Sequence, residues 1–202
     1  MTIFFYLSAM TPERYNRLTN VLNHRQPDLT VVLENVFDPH NVSAVMRTCD
    51  AVGIQDVYIL NDRIPPMKKW GYRSSSTASE WLTIHQFTDA KACFSEVKAR
   101  YEKVYATHLG EDSIGIYELD LTRSTALVFG NETFGVSENL LKYADGNLVI
   151  PQVGIIKSLN ISVACAVTLY EAFRQKNIKG HYLQSRLANE QANDIRKKWK
   201  LE

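Results

Sequence analysis

Between residues 29 and 175 the apolar positions keep changing period. "LTVVLENV" (29–36) is an unbroken β-branched run of strand length, and the segment behind it, 37–53, spaces its apolar residues as a helix does. The same alternation continues down the chain. "DVYILN" (56–61), "WLTIHQF" (81–87), "KVYATHL" (103–109), "STALVFGNE" (124–132) and "NLVIP" (147–151) read as strands. "TDAKACFSEVKARYE" (88–102) reads as an amphipathic helix and "SENLLKYA" (137–144) as a short one. "SLNISVACAVTLYEAFRQ" (158–175) is apolar nearly all round, which predicts a buried helix, with Ser158 placed to cap it. Strand and helix in alternation predict an α/β fold with a mainly parallel sheet. In such sheets ligands collect outside the carboxyl ends of the strands.

The ends of the chain have a different pattern. "TPERYNRLTNVLNHR" (11–25) carries helix-start signals, with Thr11 as N-cap, Pro12 in the first position and Glu13 in the first turn. A polar helix is expected over roughly 182–200, after "NIKG". The expected division is an N-terminal segment with a basic helix (1–26), an α/β domain (27–177) and a basic helical tail (178–202). The stretch "RIPPMKKWGYRSSSTASEW" (63–81) is too long and too rich in Pro, Gly and Ser for a plain connector.

Composition narrows the picture. The chain has 202 residues, 45% of them hydrophobic, and a net charge of +1. That near-neutrality hides an asymmetry. From Arg174 onward eight Lys/Arg face three Asp/Glu, and residues 1–25 hold three arginines against one glutamate, so the body between them is acidic. Basic ends on an acidic body suit a polyanionic partner, or are simply two solvated helices. Cys49, Cys93 and Cys165 are too far apart for a zinc spacing or a disulfide framework, and the histidines form no metal pattern. No 18-residue apolar run exists, and "MTIFFYLSAM" lacks the marks of a signal peptide, so a soluble cytoplasmic protein is expected. No glycine-rich turn follows the first strand and no Walker pattern occurs, which disfavours the common nucleotide sites.

Three segments carry candidate chemistry. In "FDPHNVSAVMRTCDAVG" (37–53) Arg47 stands on a helix otherwise built of small and apolar residues. It is either a surface partner for Asp50 or a cation presented to a ligand. In "FGNETFGVS" (129–137) Gly130 and Gly135 flank Glu132 at a strand tip, either as a turn facing water or as a close backbone approach to a ligand. In "IPQVGIIKSLNISVA" (150–164) Ser158 and Asn160 either cap a helix or hold a polar ligand at its terminus.

In their order and wording, "NVFDPHNVSAVMRTCDAVG", "FGNETFGVS" and "IPQVGIIKSLNISVACAVTLYEA" resemble the three motifs of the SpoU family of RNA 2′-O-ribose methyltransferases. Residues 11–180 are similar to its TrmH subfamily, which methylates the ribose of guanosine 18 in the tRNA D-loop. The resemblance implies a SPOUT α/β knot, with a C-terminal segment threaded as a trefoil, and a homodimer that needs no metal, membrane or DNA. It implies S-adenosyl-L-methionine in a pocket lined by Thr107, Gly130, Ile150 and Leu159. Arg47 matches the family's catalytic arginine, which activates the ribose 2′-hydroxyl with help from an RNA phosphate. A guanidinium is a donor at neutral pH, so stabilising the developing alkoxide is the less costly role, and literal proton abstraction stays open. Asn41 would orient the site, Glu132 would hold polar partners near the methyl donor, and Ser158 and Asn160 would fix the catalytic loop and the ribose. Arg14, Arg17, Arg25, Arg196, Lys197, Lys198 and Lys200 would contact the tRNA backbone. Lys68, Lys69 and Arg73, with Trp70 and Tyr72, would meet single-stranded RNA. The alternatives are the same chemistry on another tRNA position or an rRNA nucleoside, or an RNA-binding protein that has lost transferase activity.

Overall fold

The structure, a computed structural model, describes residues 10–66, 78–110 and 112–201. Seven strands form one sheet: β1 (Leu29–Glu34), β2 (Asp56–Leu60), β3 (Thr83–Phe87), β4 (Lys103–Thr107), β5 (Ser113–Gly115), β6 (Thr125–Phe129) and β7 (Gly146–Val149). Their spatial order is β3-β2-β1-β6-β4-β7-β5 and every pairing is parallel. The chain runs outward from β1 to β3, then crosses back to β4. The direction of winding therefore reverses beside β1, where β6 later inserts. Such a reversal opens a crevice at the carboxyl ends of the strands.

The burial of every residue of β1 has a simple cause, since both faces of the sheet are covered. Val31 and Leu33 point to one side, into a core shared with α2 (Pro39–Ala51) and α6 (Ile161–Ile178). Val32 points to the other, into a core built with α4 (Ala90–Arg100) and α5 (Glu138–Leu141). On the first side Val42, Val45, Met46 and Cys49 of α2 meet Cys165 and Leu169 of α6 among the buried residues, so the two helices that begin at the site are packed as one layer.

The terminal helices pack on each other. α1 (Pro12–Asn23), capped by Thr11 as expected, contributes Leu18 and Leu22. α7 (Asn189–Trp199) contributes Ile195 and Trp199, and Leu201 completes this third cluster. Trp199 stands edge-on to Trp81, at the end of the short α3 (Ala78–Trp81), with ring centroids 5.6 Å apart.

Several expectations need correction. Arg25 is not an RNA contact: its side chain is 0% exposed, bonded to Asp50 Oδ1 at 2.7 Å and to the Ile54 carbonyl at 3.0 Å, beneath the Trp199 ring. Burial pulls its pKa down and Asp50 opposes that pull. α6 starts two residues later than expected and is capped by Asn160, whose Oδ1 accepts from Ser162 N at 2.9 Å, rather than by Ser158. It is not buried all round, because Val163, Tyr170 and Ile178 are exposed. α7 begins at Asn189 rather than near 182. The intervening residues are tied down instead: Gly180 turns with φ +77°, Tyr182 donates to the Val52 carbonyl at 2.8 Å, and Arg186 bonds Asp28 at 2.8 Å. β5 and the 3-10 turn after it (Ile116–Glu118) went unread, being three residues each and too short for any periodicity. Among the described residues no helix is long and apolar enough to cross a membrane.

Candidate active site

Three chain segments reach the carboxyl edge of the sheet at the winding reversal, and each delivers one polar side chain. Behind β1, Asp38 caps α2 by accepting from His40 N at 2.8 Å, and Pro39 fixes the first helical position. Asn41 follows within the first turn. Behind β6 the chain closes a small loop, in which Asn131 and Gly135 exchange backbone bonds of 3.0 and 2.8 Å. A Cβ on Gly130 would lie 2.0–2.1 Å from the main chain of Gly135 and Val136, so only glycine fits there. Gly135, with φ +67°, completes the turn. Glu132 stands on this loop. The third segment follows β7 and ends at Asn160, the cap of α6.

The three side chains form one hydrogen-bonded line. Asn41 Nδ2 donates to Glu132 Oε1 at 2.9 Å, and Asn160 Nδ2 donates to Asn41 Oδ1 at 3.2 Å. Glu132 Oε2 also accepts from Phe37 N at 3.4 Å, and Asn160 Oδ1 takes the Ser162 hydroxyl at 2.5 Å. Each carboxamide is thereby oriented, with its oxygen toward a donor and its nitrogen toward an acceptor.

Beside this line lies a cavity of about 520 Å³. Thr107, Gly130, Ile150 and Leu159, all singled out from the sequence, line it, as do Glu132, Ser158 and Asn160. Leu148, Ile161 and Ala164 add apolar wall. Thr107 gives its hydroxyl to the Val128 carbonyl at 3.1 Å. Gln152 and Lys157 also line the cavity, and the sequence reading passed over both. Their position just beyond the carboxyl end of β7 was the available signal, because ligands in parallel sheets collect there. Gln152 Nε2 donates to the Lys157 carbonyl at 3.4 Å across that loop. Arg47 is exposed on α2 and is not among the residues lining this cavity. Asp50, its expected surface partner, accepts from Arg25.

Of the expected RNA contacts, Arg14, Arg17, Lys197 and Lys200 are exposed and Arg196 is half-buried. Lys198 turns its ammonium to the Leu82 carbonyl, and burial lowers its pKa. Lys68, Lys69, Trp70, Tyr72 and Arg73 lie outside the described residues. Among the described residues no group of three or more His, Cys, Asp or Glu is arranged to hold a metal ion.

The motif order, the parallel sheet and the polar line converge with comparison to known proteins. The model of the SpoU rRNA Methylase family matches residues 28–170. The chain belongs to the SpoU methylase family. Among its relatives in that family, the tRNA (guanosine(18)-2′-O)-methyltransferase of Thermus thermophilus is 42% identical over 191 residues, 94% of this chain and 96% of its own. The crystal structure of the TrmH/SpoU tRNA modifying enzyme of A. aeolicus superposes with a TM-score of 0.85 at 39% identity, covering 93% of this chain and 94% of that one. A more distant SpoU methyltransferase, AviRb of Streptomyces viridochromogenes in complex with the cofactor AdoMet, superposes with a TM-score of 0.64 at 25% identity. It covers 77% of this chain and 59% of its own.

Proposed function

We propose that this SpoU-family methyltransferase transfers the methyl group of S-adenosyl-L-methionine to the ribose 2′-hydroxyl of guanosine 18 in the tRNA D-loop. The observation that carries the reading is the line Glu132–Asn41–Asn160, one residue from each motif, joined at the mouth of a ligand-sized cavity. The guanosine-18 specificity rests on the Thermus thermophilus relative, whose whole length the chain nearly spans.

The cavity residues fit the methyl donor. A space of about 520 Å³ falls within the usual range for small-molecule sites. Leu148, Ile150 and Leu159 offer apolar walls for a purine, and the Gly130 backbone is free of any side chain. When bound, S-adenosyl-L-methionine supplies an electrophilic methyl group. The chain's own residues do the rest. Glu132 and Asn160, fixed through Asn41, hold polar groups at the mouth, and Ser158 orders the loop that closes it. Arg47 is a cation that binds an RNA phosphate and stabilises the oxygen losing its proton.

The working unit in this reading is a homodimer. Ile155 is 96% exposed, and Val153 and Ile156 beside it are exposed as well, on the loop that leads to Ser158. Val163 and Tyr170 extend that apolar surface along α6. A second copy would cover them, and Arg47 of one copy would face the cavity of the other. The trefoil threading of the segment after β7 belongs to the same reading, as does a cytoplasmic location alongside tRNA.

The test uses unmodified tRNA and S-adenosyl-L-methionine labelled on its methyl group, with the product mapped by nuclease digestion. Label on the ribose of guanosine 18 is the expected result. Label on another nucleotide or on rRNA would move the substrate, and no transfer to any RNA would overturn the enzyme reading.

A further inference from the structure

Asn35 has a left-handed backbone, with φ 48°, where glycine would be the ordinary choice. Yet it is 4% exposed and uses each of its hydrogen-bonding groups. Its N–H donates to the Leu60 carbonyl at 2.8 Å, and its Nδ2 to Asp62 Oδ1 at 2.6 Å. Its Oδ1 accepts from Arg63 N at 3.0 Å, and its carbonyl accepts from Asn131 Nδ2 at 2.8 Å. Asn131 is 8% exposed and equally committed, because its Oδ1 accepts from Thr133 N at 2.8 Å and from Phe134 N at 3.2 Å. One carboxamide therefore pins the inside of the 131–135 loop, and its other end is bolted to the exit of β1.

Glu132 is the next residue along, and its carboxylate reaches Asn41 and Phe37, which also follow β1. We propose that Asn131, held by the Asn35 carbonyl, is a positioning residue that fixes the Glu132 carboxylate against Asn41. It acts through Glu132, its neighbour in the cavity wall. The inference rests on the methyl-transfer reading above. Displacement of a catalytic group by about 1 Å is enough to cost on the order of 100-fold in rate.

Asn131→Asp keeps the shape and the acceptor for Thr133 and Phe134 but cannot donate to Asn35. Asn131→Ser is the second variant, and both are combined with Glu132→Ala. Each single Asn131 variant is expected to lose about 30–100-fold in kcat, with KM for tRNA within about threefold of wild type. In the double variants the Asn131 change should add less than about threefold to the loss caused by Glu132→Ala. A crystal structure of Asn131→Asp should show the Glu132–Asn41 bond broken. Additive losses, a normal kcat, an intact bond, or failure of both single variants to fold would each overturn the proposal. If the wild-type protein itself transfers no methyl group to tRNA, the proposed function fails instead, and the crystal structure still decides whether Asn131 positions Glu132.

Discussion

Asn41 both donates to Glu132 and accepts from Asn160, so its carboxamide is the joint between the β6 loop and the start of α6. Arg47, six residues further along α2, is exposed and stands outside the cavity lining. Arg47→Ala is therefore expected to abolish methyl transfer while leaving the thermal midpoint and calorimetric binding of S-adenosyl-L-methionine close to wild type. Turnover within tenfold of wild type would remove Arg47 from the mechanism. Gly130 is the opposite case. A single methyl group at that position collides with the main chain of Gly135 and Val136. Gly130→Ala should cost at least tenfold in affinity for the methyl donor, or prevent folding, and isothermal titration reads which. The sequence pointed to both positions, but it paired Arg47 with Asp50 as the bland alternative. Arg25, distant in sequence, lies against that same carboxylate, a contact that no local spacing announces.

Among the elements, the strands and central helices were legible because burial on both faces leaves an apolar run and burial on one face leaves a period. The docking of α1 on α7 was not, because it depends on Trp199 meeting Arg25 and Trp81 from three separate parts of the chain. Read from charge alone, Arg25 joined the RNA-binding arginines. Its surroundings make it a structural cation. Trp199→Ala should destabilise the protein by about 3–5 kcal/mol, the usual cost of emptying a large aromatic site, measured by denaturant unfolding. Arg14→Ala and Arg17→Ala should leave stability within about 0.5 kcal/mol. If each touches a phosphate, each should also lower the salt dependence of tRNA binding by about one unit of slope. An unchanged slope would take α1 out of the RNA interface.

For the whole molecule, stability against acid has an identifiable source. Glu171 on α6 is buried and takes two bonds from Arg174, at 2.8 and 2.7 Å, and one from Gln175 at 2.8 Å. The bond from Arg174 leads the effects that hold its pKa below the usual glutamate value, and burial pulls the other way. A carboxylate depressed on folding contributes stability that is complete above its unfolded value and is lost as pH falls through the folded one. Unfolding free energy should therefore decline as pH falls below the usual glutamate range, and Glu171→Gln should flatten that decline. The apolar surface at 153–156 belongs to this scale too. Under the homodimer proposal, Ile155→Glu should shift sedimentation from dimer to monomer, and a dimer that persists would exclude that loop from the interface.

The position of β1 has a further consequence, for synthesis on the ribosome. Its neighbours in the sheet are β2, which follows at once, and β6, which is made about a hundred residues later. A nascent chain that has emerged as far as β3 holds three parallel strands with one flank of β1 unpaired. That flank belongs to a strand that the finished fold buries throughout, and an unpaired strand edge recruits other chains. The protein is thus most prone to aggregate during translation, in the interval before β6 arrives, and slowing elongation between residues 90 and 130 should raise its dependence on chaperones.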